Sequence, residues 1–308
     1  MAGQLVMSGV KQTTAKAYSS TQRSFLAFCQ ALKLTPLPAT EQTILKYIAW
    51  LYKKGMASGS YNVHLSAIRN LHIINSVPHD HIRTDKVKLA LRSIWISSPG
   101  PAQKHALDFN LLVKLWPLVL KSTNTYMWQA LLSLGFYGGL RGAEYTQVNS
   151  SEGPKVQSVT FSSCGKVMNF KVNSSKTKSH GFVSVLGCSD HEICAPCTMK
   201  RYLKNRLLTE SVTNSSSLFI DQNARAIHKK AVDSFIKGLV ASIGLDANNY
   251  STHSLRSGAA TSAASVGCNE YEIQAIGGWR SQVYKQYIHN KAEITRTWPK
   301  RLTRGKQN

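Results

Sequence analysis

The chain has 308 residues, a length that suits about two domains of ~150 residues each. Lys and Arg number 38 against 15 Asp and Glu, a formal net charge of +23, and hydrophobic residues make up 43%. That apolar share builds real cores and excludes a disordered basic tail, and no apolar run approaches the ~18–20 residues of a membrane span. The N-terminal residues lack a basic segment followed by an apolar core, so secretion is not expected. The composition therefore points to a folded, intracellular protein that meets a polyanion, nucleic acid first among the candidates. Residues 1–98 hold 12 basic and 3 acidic side chains, and residues 99–308 hold 26 and 12. Both halves are basic, which favours two modules gripping one polyanion over a single tethering tail. Two solvated faces are the plainer alternative.

The first hundred residues read as helical. Thr13 to Leu32 carries Tyr18, Phe25, Leu26, Phe28 and Leu32 in a rough helical stripe. Thr40-Glu41 opens a second helix, Gln42 to Lys54, with Ile44, Tyr47, Ile48 and Leu51 on one face and Gly55 as its stop. Ser58 to Ile74 carries Val63, Leu65, Ile68, Leu71 and Ile74, and Arg83 to Ile96 carries Val87, Leu89, Leu91 and Trp95. Four helices without a strand pattern make a small bundle. Ser97-Ser98-Pro99-Gly100-Pro101 then blocks regular structure and reads as a linker.

The second part is mixed. Leu111 to Leu120 and Thr125 to Phe136 read as helices, and Arg141 to Val148 as a shorter one after Gly135, Gly138 and Gly139. The period then changes to two. Val156 to Phe161, Val167 to Val172 and Phe182 to Leu186 predict a three-stranded antiparallel sheet. Helical segments follow at roughly 196–209, 224–242, 254–266, 269–276, 281–288 and 291–305, with Pro299 kinking or splitting the last. The run Gly258 to Ala264 is made of small residues and reads as a close-packing surface.

Four motifs stand out in order. They are Gly139-Leu140-Arg141-Gly142-Ala143-Glu144, then Ser175-Lys176-Thr177 between the last two strands, then His253-Ser254-Leu255-Arg256, then Gly277-Gly278-Trp279 with Tyr287-Ile288-His289 beyond it. Singly each is weak: an R-x-x-E is more often a surface ion pair, and a Tyr or Trp on an amphipathic helix is more often core. Together, in this order and after a basic helical domain, they are specific.

The set resembles the tyrosine recombinase (phage integrase-like) family over nearly the whole chain. The Gly-Trp before the tyrosine, and the eight residues from Trp279 to Tyr287, look like the eukaryotic transposon branch (DIRS, Ngaro and Crypton elements). The resemblance implies an N-terminal all-α helical bundle (core-binding, SAM-like) at 1–98, a linker at 99–106, and a mixed α+β catalytic domain at 107–308, mostly α with a small three-stranded antiparallel sheet. It implies Tyr287 as nucleophile, with Arg141, Lys176, His253, Arg256 and Trp279 as catalytic partners. Tyr284 is the near rival; Tyr287 is preferred because Tyr-Ile-His resembles the family's Tyr-x-His ending.

These residue types suit breaking a DNA strand without metal or ATP. A protein hydroxyl must attack the phosphodiester and keep its bond energy in a covalent ester. Two guanidinium forks, Arg141 and Arg256, stabilise the charge that builds on the non-bridging oxygens. The Trp279 indole has one N–H to offer a phosphate oxygen, and it also suits packing. Lys176 at a hairpin tip suits protonation of the leaving 5′ oxygen, with Lys171 and Lys178 as alternatives. His253 accepts the tyrosine proton or orients the phosphate, and capping or core packing is its plainer reading. Glu144, one turn after Arg141, supports the Arg or His from behind.

After Tyr287 the tail carries Lys291, Arg296, Lys300, Arg301, Arg304 and Lys306, with Ile294, Trp298 and Leu302 at four-residue steps. Such a stripe buries either on its own domain or, as the resemblance implies, on a neighbouring protomer in a ring of four around two DNA sites. Cys188, His191, Cys194 and Cys197 are zinc ligand types within ten residues. The resemblance calls for no metal or cofactor, so reduced thiols are the first expectation, for these and for Cys29, Cys164 and Cys268.

The expected activity is site-specific strand cutting and rejoining through a 3′-phosphotyrosyl intermediate, integrating or excising a mobile element. The expected partners are double-stranded DNA at element termini and target, and further copies of the chain; the expected compartment is the nucleus. A type IB topoisomerase-like relaxer and a catalytically silent DNA-binding protein are the alternatives. A metal-dependent nuclease is disfavoured, because the sequence has no close Asp/Glu cluster for Mg²⁺.

Overall fold

The computed structural model describes residues 9, 12–99, 104–149, 152–173, 180–209, 211–279 and 281–288. The chain divides into two compact units, Met1–Pro101 and Ala102–Asn308.

The first unit contains helices α1 (Gln12–Ala31), α2 (Glu41–Lys53), α3 (Tyr61–Ile74) and α4 (Asp85–Ser97). Thr40 starts α2 by accepting the Thr43 N–H at 3.1 Å, and Thr84 starts α4 in the same way through Val87. Phe25, Phe28, Ile44, Tyr47, Leu51, Leu65 and Ile68 form the centre of the core. Tyr47 meets Phe25 edge-on at 5.1 Å, and its hydroxyl bonds His64 Nδ1 at 2.9 Å. His72 is fully buried: Nδ1 is 2.8 Å from the Ile68 carbonyl, and Nε2 accepts the Ala39 N–H at 2.8 Å. That pairing needs one protonated and one bare nitrogen, so the ring is neutral, and burial lowers its pKa accordingly.

Three predicted stripes are partly turned outward. Leu26 of α1 and Leu32 just beyond its end are exposed, as are Val63 and Ile74 of α3 and Leu89 (63%) and Trp95 (70%) of α4. The buried face of α4 is Val87 and Ile94 with Leu91 packed beside them, a four-then-three spacing that leaves Leu89 and Trp95 on other faces.

The second unit opens with residues tied into it: His105 and Leu107 donate their N–H groups to the carbonyls of Asn249 and Ser254, each at 2.8 Å. Helices α5 (Phe109–Leu120) and α6 (Thr125–Tyr137) follow. In α6, Met127, Ala130, Leu131, Leu132, Leu134 and Phe136 are all buried, which is the mark of a central helix covered on every side. The chain then makes the one-turn helix α7 (Gly142–Tyr145) and a sheet of β1 (Val159–Phe161), β2 (Val167–Val172) and β3 (Phe182–Gly187). The sheet is antiparallel in the order β1-β2-β3, with Phe170 opposite Val159 and Ser184. Met168, Phe170, Val172 and Leu186 point into the core, while Val183 and Val185 face out, as the period of two predicts. Helices α8 (Ala195–Thr209), α9 (Lys229–Ala241), α10 (Thr252–Ser265) and α11 (Glu270–Gly277) complete the unit, with a 3₁₀ turn at Gln282–Tyr287. A hydroxyl pair 2.6 Å apart, Ser133 with Thr198, links α6 to α8.

Several boundaries differ from the sequence expectation for local reasons. The helix expected from 224 starts at Lys229, because Asp221 Oδ1 accepts the N–H groups of Asn223 and Arg225 and holds a tight turn there. The helix expected to reach Val148 ends at Tyr145, and Gln147 then bridges to His228. Val156–Ser158 is a 3₁₀ turn, so β1 begins only at Val159. The segment 291–305 lies outside the described residues.

The small-residue run in α10 has a definite use. A Cβ on Gly258 would stand 1.8 Å from the Leu107 carbonyl oxygen, so only glycine lets the entering chain cross this helix. Gly238 of α9 has open space around it and is exposed. Chemical denaturation of the full chain is therefore expected to show opposite effects: Gly258→Ala loses about 1–3 kcal/mol in the second unit, and Gly238→Ala gains about 0.5–1 kcal/mol.

Candidate active site

The site is built where α6 ends. Gly139 has φ +52, and a Cβ there would stand 3.1 Å from the Gly277 Cα. Two glycine backbones thus cross, bringing the loop before α7 against the end of α11. Arg141 follows as the N-cap of α7. Glu144 grips it twice: Oε2 accepts the Arg141 backbone N–H at 2.8 Å, and Oε1 takes the guanidinium Nη1 at 2.9 Å. The Glu144 side chain is only 2% exposed and that of Arg141 31%. This is not a surface ion pair but a buried carboxylate orienting a guanidinium that still reaches solvent.

Helix α10 supplies the next pieces. Ser251 caps it, the Thr252 N–H donates to Asp233 Oδ1 at 2.7 Å, and His253 is exposed in its first turn. Arg256, one turn further in, is 1% exposed. Its Nη1 donates to the Gly139 carbonyl, and its Cζ lies 4.2 Å from the centre of the Trp279 ring. One guanidinium therefore joins the first, third and fourth motifs. Trp279 is itself buried and packs against Tyr284 at 6.1 Å. A Cβ on Gly277 would fall 2.2 Å from the indole, which fixes glycine at that position too. Trp279 is thus a core residue whose face holds Arg256.

Tyr284 is 1% exposed, in a cluster with Ala260, Ala263, Ile273 and Trp279. Burial raises its phenol pKa, and Glu270 adds to the rise. The backbone of Tyr287 ends the 3₁₀ turn Gln282–Tyr287, and its side chain lies outside the described residues. Lys176 also lies outside them, in the connection between β2 and β3. Two contact pairs, Arg141 with Glu144 and Arg256 with Trp279, are thus joined through the Gly139 loop, and His253 stands one helical turn before Arg256.

Lys229 and Asp233 were not singled out from the sequence, because an i,i+4 pair at a helix start reads as surface charge. Here the methylenes of Lys229 and the Thr252 hydroxyl lie against Gly142, beside Arg141. Lys229 pairs with Asp233 Oδ2. Asp233 therefore ties the starts of α9 and α10 together behind Arg141. Among the described residues, one group is arranged to hold a metal: Cys188, Cys194 and Cys197. His191 is not part of it; its Nδ1 accepts the Ile193 N–H at 3.2 Å and its ring packs on Phe109.

Residues 119–293 match the phage integrase family. The chain belongs to that family, the tyrosine recombinases. An integrase/recombinase xerD homolog from Selenomonas ruminantium is 27% identical over 293 residues, covering 91% of this chain and 81% of that one. Among solved structures, the Tn1549 transposon integrase in complex with transposon right end DNA has a TM-score of 0.66 at 15% identity, covering 98% and 99% of the two chains. A lambda integrase dimer bound to a core site has a TM-score of 0.62 at 15% identity, covering 94% and 93%. At such identities the structural likeness speaks for the fold: a mostly helical phage integrase catalytic domain with a small three-stranded antiparallel sheet.

Burial works to raise the Asp233 pKa, but the hydrogen bonds from Lys229 and the Thr252 N–H, with the Lys229 charge, hold it below the ordinary value. The folded value is thus lower than the unfolded one. The resulting stability is fully present above the unfolded pKa of about 3.9 and is lost as pH falls through the folded value. Asp233→Asn is expected to be less stable than the parent at pH 7, with the gap closing toward pH ~3, as read from denaturation midpoints across that range.

Proposed function

We propose that this protein is a site-specific DNA recombinase that cuts and rejoins strands through a covalent tyrosine ester, moving a mobile element. The observation that carries this reading is the Arg256 guanidinium, buried between the Gly139 carbonyl and the Trp279 face, beside the Arg141–Glu144 pair. A helix terminus or a core would not need two arginines fixed this way; a phosphodiester under attack does.

In this reading the two guanidinium groups hold the non-bridging oxygens of the scissile phosphate. Tyr287 attacks phosphorus, its proton passing to His253 or to solvent. A 3′-phosphotyrosyl bond forms as the bond to the 5′ oxygen breaks, and Lys176 gives that oxygen its proton. The free 5′ hydroxyl of a partner strand then attacks the ester, restoring the tyrosine. Phosphate bond energy is kept in the ester, so neither ATP nor Mg²⁺ enters the chemistry. Burial of Tyr284 in the Trp279 cluster supports Tyr287 as the nucleophile. The positive charge of both units, +23 in all, supports a grip on duplex DNA that weakens with salt. The partners are element termini and target DNA, with a ring of four protomers joined through the tail after Tyr287. The Gly278-Trp279 motif and its spacing to Tyr287 support the DIRS, Ngaro and Crypton branch and hence a nuclear site of action.

A nicked suicide substrate bearing an element end tests this. The native chain is expected to form a covalent protein–DNA adduct without added Mg²⁺ or ATP. Tyr287→Phe is expected to abolish it and Tyr284→Phe to retain it. Arg141→Ala and Arg256→Ala are each expected to lower its rate by about 10²–10³-fold or more. An adduct that persists in Tyr287→Phe, or none with the native chain, rejects the assignment.

A further inference from the structure

Cys188, Cys194 and Cys197 take no part in the chemistry proposed above, yet the fold gathers them from two elements. Cys188 follows directly on β3, and its N–H donates to the Lys166 carbonyl at 2.7 Å, which fixes it to the hairpin. Cys194 and Cys197 stand at the start of α8, with Pro196 in the first turn. A turn closes the gap between them: the Cys194 N–H donates to the His191 carbonyl at 2.9 Å, and Asp190 has φ +50. The helix bearing the last two thiols is anchored by the Ser133–Thr198 hydroxyl pair to α6 at the centre of the unit.

The Sγ of Cys188 lies 3.4 Å from that of Cys194 and 3.5 Å from that of Cys197, and all three lie within 4.8 Å of one another. Four sulfurs at ~2.3 Å from a tetrahedral zinc stand ~3.8 Å apart, close to these separations, whereas a disulfide requires ~2.05 Å. Three thiols also leave one over from any disulfide pairing. Cys194 is buried, and Cys188 and Cys197 are half-buried, which limits water around the group. Asp190 Oδ1 stands 3.5 Å from Cys188 Sγ and brings an oxygen donor to the edge of the thiol group.

We propose that Cys188, Cys194 and Cys197, with Asp190 as fourth ligand, bind a structural Zn²⁺ ion. On binding, the three thiol protons leave to solvent as three Zn–S bonds form, and no oxidant or reductant is involved. The ion pins the end of β3 to the start of α8 and so to α6. It steadies the strand that leads out of the β2–β3 connection carrying Lys176. The proposal rests on the thiol geometry and stands independently of the recombinase chemistry.

The full chain, purified under reductant from zinc-supplemented medium, is expected to carry one zinc per chain by elemental mass spectrometry. Exchange for Co²⁺ is expected to give a thiolate-to-cobalt charge-transfer band in the near ultraviolet and tetrahedral ligand-field bands in the visible. Cys188→Ser and Cys197→Ser are expected to lose the metal, and Cys164→Ser, at the exposed turn before β2, to keep it. Asp190→Asn is expected to keep the sulfur band with weaker affinity. Absence of zinc and of the cobalt–sulfur band in the native chain overturns the proposal, whether or not the serine variants fold. So does metal retained at full stoichiometry in the Cys188→Ser/Cys197→Ser double variant, or a disulfide among the three thiols in the reduced preparation. Unchanged affinity in Asp190→Asn removes Asp190 from the ligand set.

Discussion

The catalytic unit depends on one buried guanidinium. Arg256 bonds the carbonyl that ends the α6 loop and lies across the Trp279 ring. Charge is costly to bury, and it is retained in proteins where fixed partners compensate it. Here the partners are a carbonyl dipole and the negative face of an indole. Together they hold the guanidinium in one place within a low dielectric. The neighbouring parts follow from holding that side chain still. The Gly139–Gly277 crossing brings its carbonyl within reach, Gly277 makes room for the indole, and Gly258 lets Leu107 seal the helix from the other side.

Around this fixed arginine the other charges are arranged by degrees of freedom. Arg141 is tethered by a buried Glu144 but keeps part of its surface in solvent, so it is oriented without being locked. His253 is on the same helix as Arg256 and exposed in its first turn. Asp233 holds the starts of α9 and α10 in one place through Lys229 and Thr252. A strongly basic protein repels itself, and Glu144 and Asp233 each set a carboxylate against one of its cations.

The two clusters of the catalytic unit answer different needs. In the arginine cluster Arg256 is buried while Arg141 keeps part of its side chain in solvent. The thiol cluster closes a turn between strand and helix, where a small sheet of three strands has little core of its own. The long hydrophobic helix α6 joins them, touching α8 through Ser133 and α10 through Gly135 and Leu255.

Much of the fold was legible in the sequence because its signals are local. The period of two from Val167 to Val172 fixes which side chains face inward, and Thr40 and Thr84 mark their helix starts by capping. The ordered motifs named the family because residue type and spacing carry that information alone. What the sequence left undecided depends on contacts across long separations. The burial of Trp279 and its contact with Arg256 depend on residues far apart in the chain, and Leu89 and Trp95 lie outward because α4 packs through the face of Val87, Leu91 and Ile94. Lys229 and Asp233 looked like a surface pair until Thr252 and Gly142 were seen against them. Tyr284 could be told from a free phenol only by the residues that enclose it. The sequence by itself determined the elements, the charge and the reactive residue types. Tertiary structure alone decided which side chains share one volume, because a contact between residues over a hundred positions apart, such as Gly139 with Arg256, leaves no local pattern to read.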